Sequence, residues 1–281
     1  PSTGVASQTK MAPIQISQTE FNPIATTQMT LSANLPATPA AATPVSSQVQ
    51  IYDALGTLHT VNLNWTQLGS NDWSVAVDVP DNGGGPAVGT AEVKFGATSG
   101  NPVPEGTVGS LSNPTGSLTV SSFAAGTPAT LNFTVDFGSG PQTIQLGMGT
   151  YGAADGLTQY AGTTYSLRGL TQNGVPPGAF KNVTTDTSGN VVVNYDNGQS
   201  RVVAQVPIVT FNAPDQLQRQ NGQAFTATLD SGTPVAQEAG TNGAGSLVIG
   251  SVEQSNVDIA SELTKLIVAQ QAYSANAKVI T

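Results

Sequence analysis

The sequence predicts a mainly β protein that ends in one long amphipathic α-helix, and three observations carry that reading. Apolar and polar residues alternate with a period of two in segment after segment, the pattern of half-buried strands. Turn chemistry separates these segments: 31 glycines and 18 prolines in 281 residues, about a sixth of the chain, still short of the roughly 25–30% that marks low-complexity chains. Only residues 255–281 change to steps of three and four, the helical period. At roughly 100–200 residues per domain, the length suits one large domain or two ordinary ones.

Along the chain, residues 11–35 mix short alternating pieces (Ile14, Ile16; Met29, Leu31) with Thr, Gln and Asn, and read as extended chain or strand. The Pro/Ala/Thr stretch 36–44 holds three prolines, which cannot continue a sheet ladder, and so reads as a linker. Residues 49–52, the turn 53–56 and residues 57–66 form an expected hairpin, with Val61, Leu63 and Trp65 on one face. In the next strand Trp73, Val75, Val77 and Val79 share one parity and Asp72, Ser74 and Asp78 the other, as in a meander covering a core. Residues 81–113 read as Gly- and Pro-rich loops interrupted by a short strand at 91–95. Further strands are expected at 118–120, 131–137 and 143–146, with Leu131, Phe133, Val135 and Phe137 on a buried face. Turn chemistry at 172–178 and 188–190, a strand at 191–195, the turn Asp196-Asn197-Gly198 and a returning strand at 201–206 follow. The Asn-Gly pair suits the positive-φ positions of a hairpin turn. Another loop-rich region reaches Gly250.

The helix begins with Ser255 to Asp258, a loose capping box in which Asp replaces Glu, and Asp258 and Glu262 lie where the positive end of the dipole favours carboxylates. Ile259, Leu263, Leu266, Gln270, Tyr273, Ala277 and Ile280 then follow in alternating steps of four and three, a heptad seam. No second amphipathic helix is visible in the chain. A lone helix of this length is marginal in water, so the seam needs a partner. A sheet of the same chain would serve; so would another helix, which the regularity of the heptad favours.

Composition removes several functions. Eight Lys and Arg against 17 Asp and Glu leave a net charge of −9, and such a chain has no positive field for nucleic acid or an anionic membrane surface. The absence of Cys excludes disulfides, thiolate chemistry and Cys-ligated metals. The longest apolar run is four residues, 266–269, against roughly 18 for a membrane span. Residues 1–10 carry no basic segment followed by an apolar one, so no Sec-type signal is visible. The sequence begins with Pro1 rather than Met, and a missing natural N-terminus is expected.

Candidate chemistry is sparse. His59 is the only histidine; without a G-x-S-x-G elbow, a lone His at a strand end reads as a packed or hydrogen-bonded structural residue. Gly147, Gly149 and Gly152 match G-x-G-x-x-G, but neither a helix nor an acidic residue about twenty positions on follows, so the segment reads as a glycine-rich loop rather than a dinucleotide site. Residues 186–190 lack the third oxygen ligand and terminal Glu of a calcium loop and read as a turn. No pair of carboxylates stands in a recognisable acid/base arrangement, and no catalytic, cofactor or metal residue is assigned. The sequons at Asn64, Asn132 and Asn182 read as chance in an Asn- and Thr-rich chain.

The C-terminal residues carry a resemblance. Glu253-Gln254-Ser255-Asn256-Val257-Asp258, then Glu262-Leu263, Leu266-Ile267-Val268-Ala269-Gln270, and the run from Ala272-Tyr273 to Val279-Ile280 resemble the C-terminal helix of the bacterial flagellar rod and hook protein family. Residues 49–59 with Trp73 look like the opening hairpin of the outer domain of its hook-type members. Gln172 to Gly178 and Tyr195 to Gln199, with the strand to Phe211, are similar to the returning half of the inner β domain.

The resemblance implies two β domains and a terminal helix: residues 28–170 as an outer domain inserted into an inner one made from 1–27 and 171–245, then 246–281 for coiled-coil packing in the axial core. The linker at 36–44 and the turn cluster at 173–178 agree with the borders. It implies a non-enzymatic subunit, without cofactor, that polymerises into the curved tube joining rotary motor to filament. The expected partners are copies of itself, rod and hook–filament junction proteins, the hook cap and the flagellar export apparatus, with no nucleic acid and no membrane insertion. The implied location is extracellular, in the flagellar hook, after export without a cleaved Sec signal. Against the family pattern the chain lacks the N-terminal helix and stops before the usual short tail, as a fragment or processed subunit would.

Two features accord with this: an exported unfolded chain gains from having no Cys, and polar Thr, Asn, Gln and Gly surfaces permit sliding contacts. A distal rod protein of the same family is the nearest alternative, against which the large inserted domain argues. An extracellular adhesin or carbohydrate-binding β domain would expose aromatic platforms, whereas Trp65 and Trp73 share parity with aliphatic neighbours. A β-fold hydrolase would need a convergent acid/base site.

Overall fold

A computed structural model describes residues 12–39, 44–222, 224–252 and 257–280, with side chains in the last helix as far as residue 276. It is mainly β, with several sheets and one C-terminal helix. The chain divides into two compact units, one of residues 15–184 with 193–201, the other of the remaining described residues.

In the first unit, β1 (Gln28–Asn34) precedes an antiparallel meander of β2 (Val45–Tyr52), β3 (Leu58–Gly69), β4 (Asp72–Asp78), β5 (Ala87–Phe95) and β6 (Val108–Ser112), whose spatial order is the chain order. Then β7 (Thr119–Val120), β8 (Pro128–Asp136), β9 (Pro141–Thr150), β10 (Leu157–Thr158) and β11 (Ser166–Gln172) build a second sheet around β1. Its order is β10-β1-β9-β8-β7, with β11 also on β1. Strand β1 runs parallel to β9 and β10 and antiparallel to β11.

The period of two determines what these sheets bury. Val61, Leu63 and Trp65 of β3, Trp73, Val75 and Val77 of β4, Leu131, Phe133 and Val135 of β8, and Ile144, Leu146 and Met148 of β9 join one hydrophobic core. Each large apolar side chain fully buried in this way contributes roughly 1.5–3 kcal/mol. The turn from β2 to β3 passes through Gly56 at φ +81°, a left-handed conformation that disfavours any residue with a Cβ. A Cβ there would also lie 2.5 Å from Pro177 Cδ and 2.8 Å from Pro23 Cβ.

In these sheets the structure departs from several sequence expectations. Residues 81–113 are not loops around one short strand, because β5 is nine residues long and β6 completes the sheet. Phe137 leaves the alternation of β8: the strand ends at Asp136, and Phe137 is only partly buried. Strands β10 and β11 were not expected; β11 has no fully buried residue and is held by its ladder to β1 rather than by an apolar face.

Beyond these sheets, β12 (Phe180–Thr185), β13 (Asn190–Tyr195) and β14 (Ser200–Gln205) form a three-stranded sheet in that order. The Asn197-Gly198 turn falls between β13 and β14 as expected; Gly198 has φ +82°, and Asn197 accepts from Gln199 N at 3.0 Å. Strand β15 (Ile208–Thr210), β16 (Gln218–Arg219), β17 (Phe225–Thr226) and β18 (Val235–Gln237) form two small antiparallel pairs, β15 with β18 and β16 with β17.

The helix α1 spans Ile259–Ile280, 22 residues, or about 33 Å at 1.5 Å per residue. Asp258 caps it: its carboxylate accepts from Ala260 N at 2.9 Å, and its carbonyl accepts from Glu262 N at 3.1 Å, satisfying N-terminal donors. Ser255 of the expected capping box lies outside the described residues. Glu262 stands in the first turn and pairs with Lys265 at 2.7 Å.

Candidate functional site

The heptad positions are the first candidate. At about 100° per residue, Ile259, Leu263, Leu266, Gln270 and Tyr273 fall within an arc of about 80° on α1. Every described side chain of the helix is exposed. The exposure reaches 74% for Ile259, 54% for Leu263, 53% for Leu266 and 79% for Tyr273, so the stripe is uncovered among the described residues. Ala277 and Ile280 belong to the helix, but their side chains lie outside the described residues. The apolar character is not confined to the stripe: Ile267 flanks it and Val268 lies opposite, at 52% and 59% exposure. No described helix residue combines titratable groups into a reactive site; the stripe can only bury area.

The second candidate surrounds His59, at the start of β3. Its ring stacks on Phe137 with centroids 3.7 Å apart and planes at 7°. Nδ1 stands 3.1 Å from Asp81 and Nε2 3.4 Å from Asp53. Asp53 belongs to the β2–β3 turn, Asp81 follows β4 and Phe137 follows β8, so the imidazole ties an edge of one sheet to a hairpin of the other. Asp53 is buried; burial pushes its carboxyl pKa up, but hydrogen bonds from Thr57 N, His59, Leu55 N and the Thr57 side chain outweigh that and leave it lowered. Leu55 N and Thr57 N donate to one Asp53 oxygen at 2.9 and 2.7 Å, and His59 faces the other.

A cleft of about 290 Å³ lies beside this cluster, lined by Thr27, Asp53, Phe137, Gly140 and Gln142 among others. The Gln142 amide is committed to Thr26 O and Tyr52 O at 2.8 and 3.0 Å. With Asp53 engaged on both oxygens, the cleft presents no free acid or base, and His59 serves as a hydrogen-bonded structural residue. Sequence reasoning missed Asp53, Asp81 and Phe137 as its neighbours: the two aspartates come from turns of the same meander, and Phe137 reaches the ring only because the second sheet packs against it.

The remaining motifs resolve into backbone support. Gly147 and Gly149 lie in β9 rather than in a loop. Gly149 has φ +95°, and a Cβ there would stand 2.7 Å from Gly156 N, so glycine serves a close backbone approach. Asp155 accepts from Thr150 N at 2.8 Å and Thr150 Oγ1 at 2.7 Å; burial raises its pKa, and these Thr150 bonds outweigh it to give a lowered value. Asp186 accepts from the Asn190 side chain and from Asn190 N and Ser188 N, each at 2.9 Å, and these bonds, led by the Asn190 side chain, lower its pKa. Residues 186–190 are therefore a turn whose carboxylate is already satisfied. Among the described residues no group of three or more His, Asp or Glu side chains is placed to hold a metal, and no helix is long and apolar enough to cross a membrane.

Comparison with known proteins adds two family models. Residues 17–175 match the flagellar basal body protein FlaE D2 domain, and residues 249–281 match the C-terminal part of the flagellar basal body rod FlgEFG proteins. The flagellar hook protein FlgE of Caulobacter vibrioides is 32% identical over 249 residues, covering 83% of this chain and 41% of that protein. The FlgE of Helicobacter pylori is 32% identical over 240 residues, covering 84% of this chain and 31% of its own length. A solved structure of Helicobacter pylori FlgE2 aligns with a TM-score of 0.42 at 18% identity, over 69% of this chain and 39% of that one. The chain thus spans less than half the length of these relatives.

Proposed function

The chain belongs to the flagellar hook protein FlgE family, and from that premise we propose that it is a non-enzymatic structural subunit that polymerises with copies of itself into the flagellar hook. The hook is the curved, flexible tube that passes torque from rod to filament. One observation carries the assembly role: α1 exposes an apolar stripe at Ile259, Leu263, Leu266 and Tyr273, and a helix of this length gains its stability from covering such a face. In the proposed polymer the stripe, with Gln270, Ala277 and Ile280, meets another helix in the axial core.

The proposed domain arrangement places 28–170 outward, inserted between inner segments 1–27 and 171–245, with 246–281 in the axial core. The shared core of the two large sheets, β1 to β11, supports treating 28–170 as one folding unit. Rod and junction proteins, the hook cap and the export apparatus are the proposed further partners, and the proposed location is outside the cell after export without a cleaved Sec signal. Electron microscopy of the complete gene product under polymerising conditions tests the reading: curved tubes are expected, and persistent monomers or amorphous aggregate would overturn it.

A further inference from the structure

Five Asn-Gly pairs occur in the sequence, at Asn82, Asn173, Asn197, Asn221 and Asn242. Such a pair can modify itself without enzyme or oxidant. The glycine backbone nitrogen attacks Cγ of the asparagine carboxamide, a new N–Cγ bond forms, the Cγ–Nδ2 bond breaks and ammonia leaves. Water then opens the succinimide at either carbonyl, giving aspartate or isoaspartate. The reaction needs a carboxamide free to swing onto the backbone and a following residue with no Cβ to obstruct the ring, a freedom glycine provides.

The fold sorts the five. Asn82 donates to Gly85 O at 2.7 Å and accepts from Asp136 N at 3.0 Å. Asn173 accepts from Thr27 N and Gln28 N and donates to Thr27 Oγ1, each at 2.9 Å. Asn197 donates to Pro176 O at 2.8 Å and accepts from Gln199 N at 3.0 Å. These three carboxamides are held at both ends. Asn242 has no side-chain bond among the described residues, but its backbone is fixed at φ +47° in a turn closed by Ala244 N to Thr241 O at 2.8 Å. Asn221 is exposed in the connection from β16 to β17, a turn also closed, by Gln220 N to Ala224 O at 2.9 Å, but unlike Asn242 it does not stand at positive φ, and it makes no side-chain hydrogen bond among the described residues. Beyond its chain neighbours no heavy atom stands within 4 Å of a Cβ built on Gly222, as is also true at Gly198 and Gly243, so the hold on the asparagine side chain and backbone is what separates the pairs.

We propose that Asn221 is a site of spontaneous deamidation, converting to aspartate and isoaspartate in the folded protein while Asn82, Asn173 and Asn197 are protected. The change adds a negative charge to a chain already at −9, two residues from Arg219, and the isoaspartyl product lengthens the backbone of a tight hairpin. The assignment is independent of the proposed role in assembly.

The test is a time course of the purified chain in mildly alkaline buffer, read by peptide mapping and isoaspartyl methyltransferase labelling. Asn221 is expected to convert at least about tenfold faster than each of the three held asparagines, tenfold being ~1.36 kcal/mol on the barrier. Asn221→Gln should remove the first acidic variant to appear. In strong denaturant the five rates should converge. Conversion of Asn82, Asn173 or Asn197 as fast as Asn221 in the folded chain would overturn the proposal, as would the same ranking persisting in denaturant.

Discussion

Replacing His59 by Ala probes how the two large sheets are tied, and the structure gives the size of the effect. The ring is 11% exposed and stacks on Phe137, an aromatic contact contributing about 0.5–1.5 kcal/mol. Its contact with the buried Asp53 carboxylate is long, at 3.4 Å, and takes the lower end of the roughly 1.5–3 kcal/mol of a hydrogen bond to a charged group. The Asp81 contact adds little, because that carboxylate is 57% exposed and solvent screens the pair. His59→Ala should therefore cost about 2–3 kcal/mol. His59→Phe keeps a ring on Phe137 and should recover about 1 kcal/mol of it. Urea unfolding followed by Trp fluorescence reads this directly, since Trp65 and Trp73 are both buried in that unit. A loss below ~0.5 kcal/mol, the range of an ordinary surface substitution, or identical losses for Ala and Phe, would refute the reasoning. Assembly and swimming should survive His59→Ala, because the residue performs no chemistry.

Other expectations follow from the same geometry. Asp53 and Asp155 have lowered carboxyl pKa values in the fold, so their stabilisation is fully present above the ordinary aspartate value near 3.8 and is lost as pH falls through the lower folded values. Acid unfolding of Asp53→Asn should depend less steeply on pH in that window than that of the parent chain, and an unchanged slope would count against the assignment. Gly56→Ala must place a Cβ at φ +81° and against Pro177 and Pro23, and should lower stability by at least ~1–2 kcal/mol; a neutral result by urea unfolding would contradict the close approach. Limited proteolysis should release a stable core near residues 28–170, and cleavage in the middle of that span without such a core would sink the domain proposal.

Legibility in the sequence followed one-sided burial. Strands β3, β4 and β8 were readable because Val61 to Trp65, Trp73 to Val77 and Leu131 to Val135 alternate without interruption and bury one face. Strand β11 was not, because Ser166 to Gln172 buries no side chain fully and owes its conformation to pairing with β1, a partner more than 130 residues away. Strand β6 was hidden by its glycine and serines, and the start of β5 by Gly89, which interrupts the alternation. The helix and its first-turn carboxylate were legible from local pattern alone. At His59 the local reading identified a structural residue, but its partners come from three connections, two of them turns of its own meander and one, at Phe137, from the other sheet, and no local period encodes which loops meet.

If the stripe serves assembly, the β units fold without it. Leu266 is 53% exposed in the isolated chain, so Leu266→Asp should leave the β unfolding midpoint essentially unchanged there. In a helix–helix seam the same carboxylate would be desolvated against apolar neighbours, which costs several kcal/mol at every repeat of the lattice. Sedimentation of the complete gene product carrying Leu266→Asp, under conditions where the parent protein pellets as tubes, is the most direct measurement. The variant is expected to stay folded in the supernatant; pelleting as normal tubes would contradict an assembly role for the stripe.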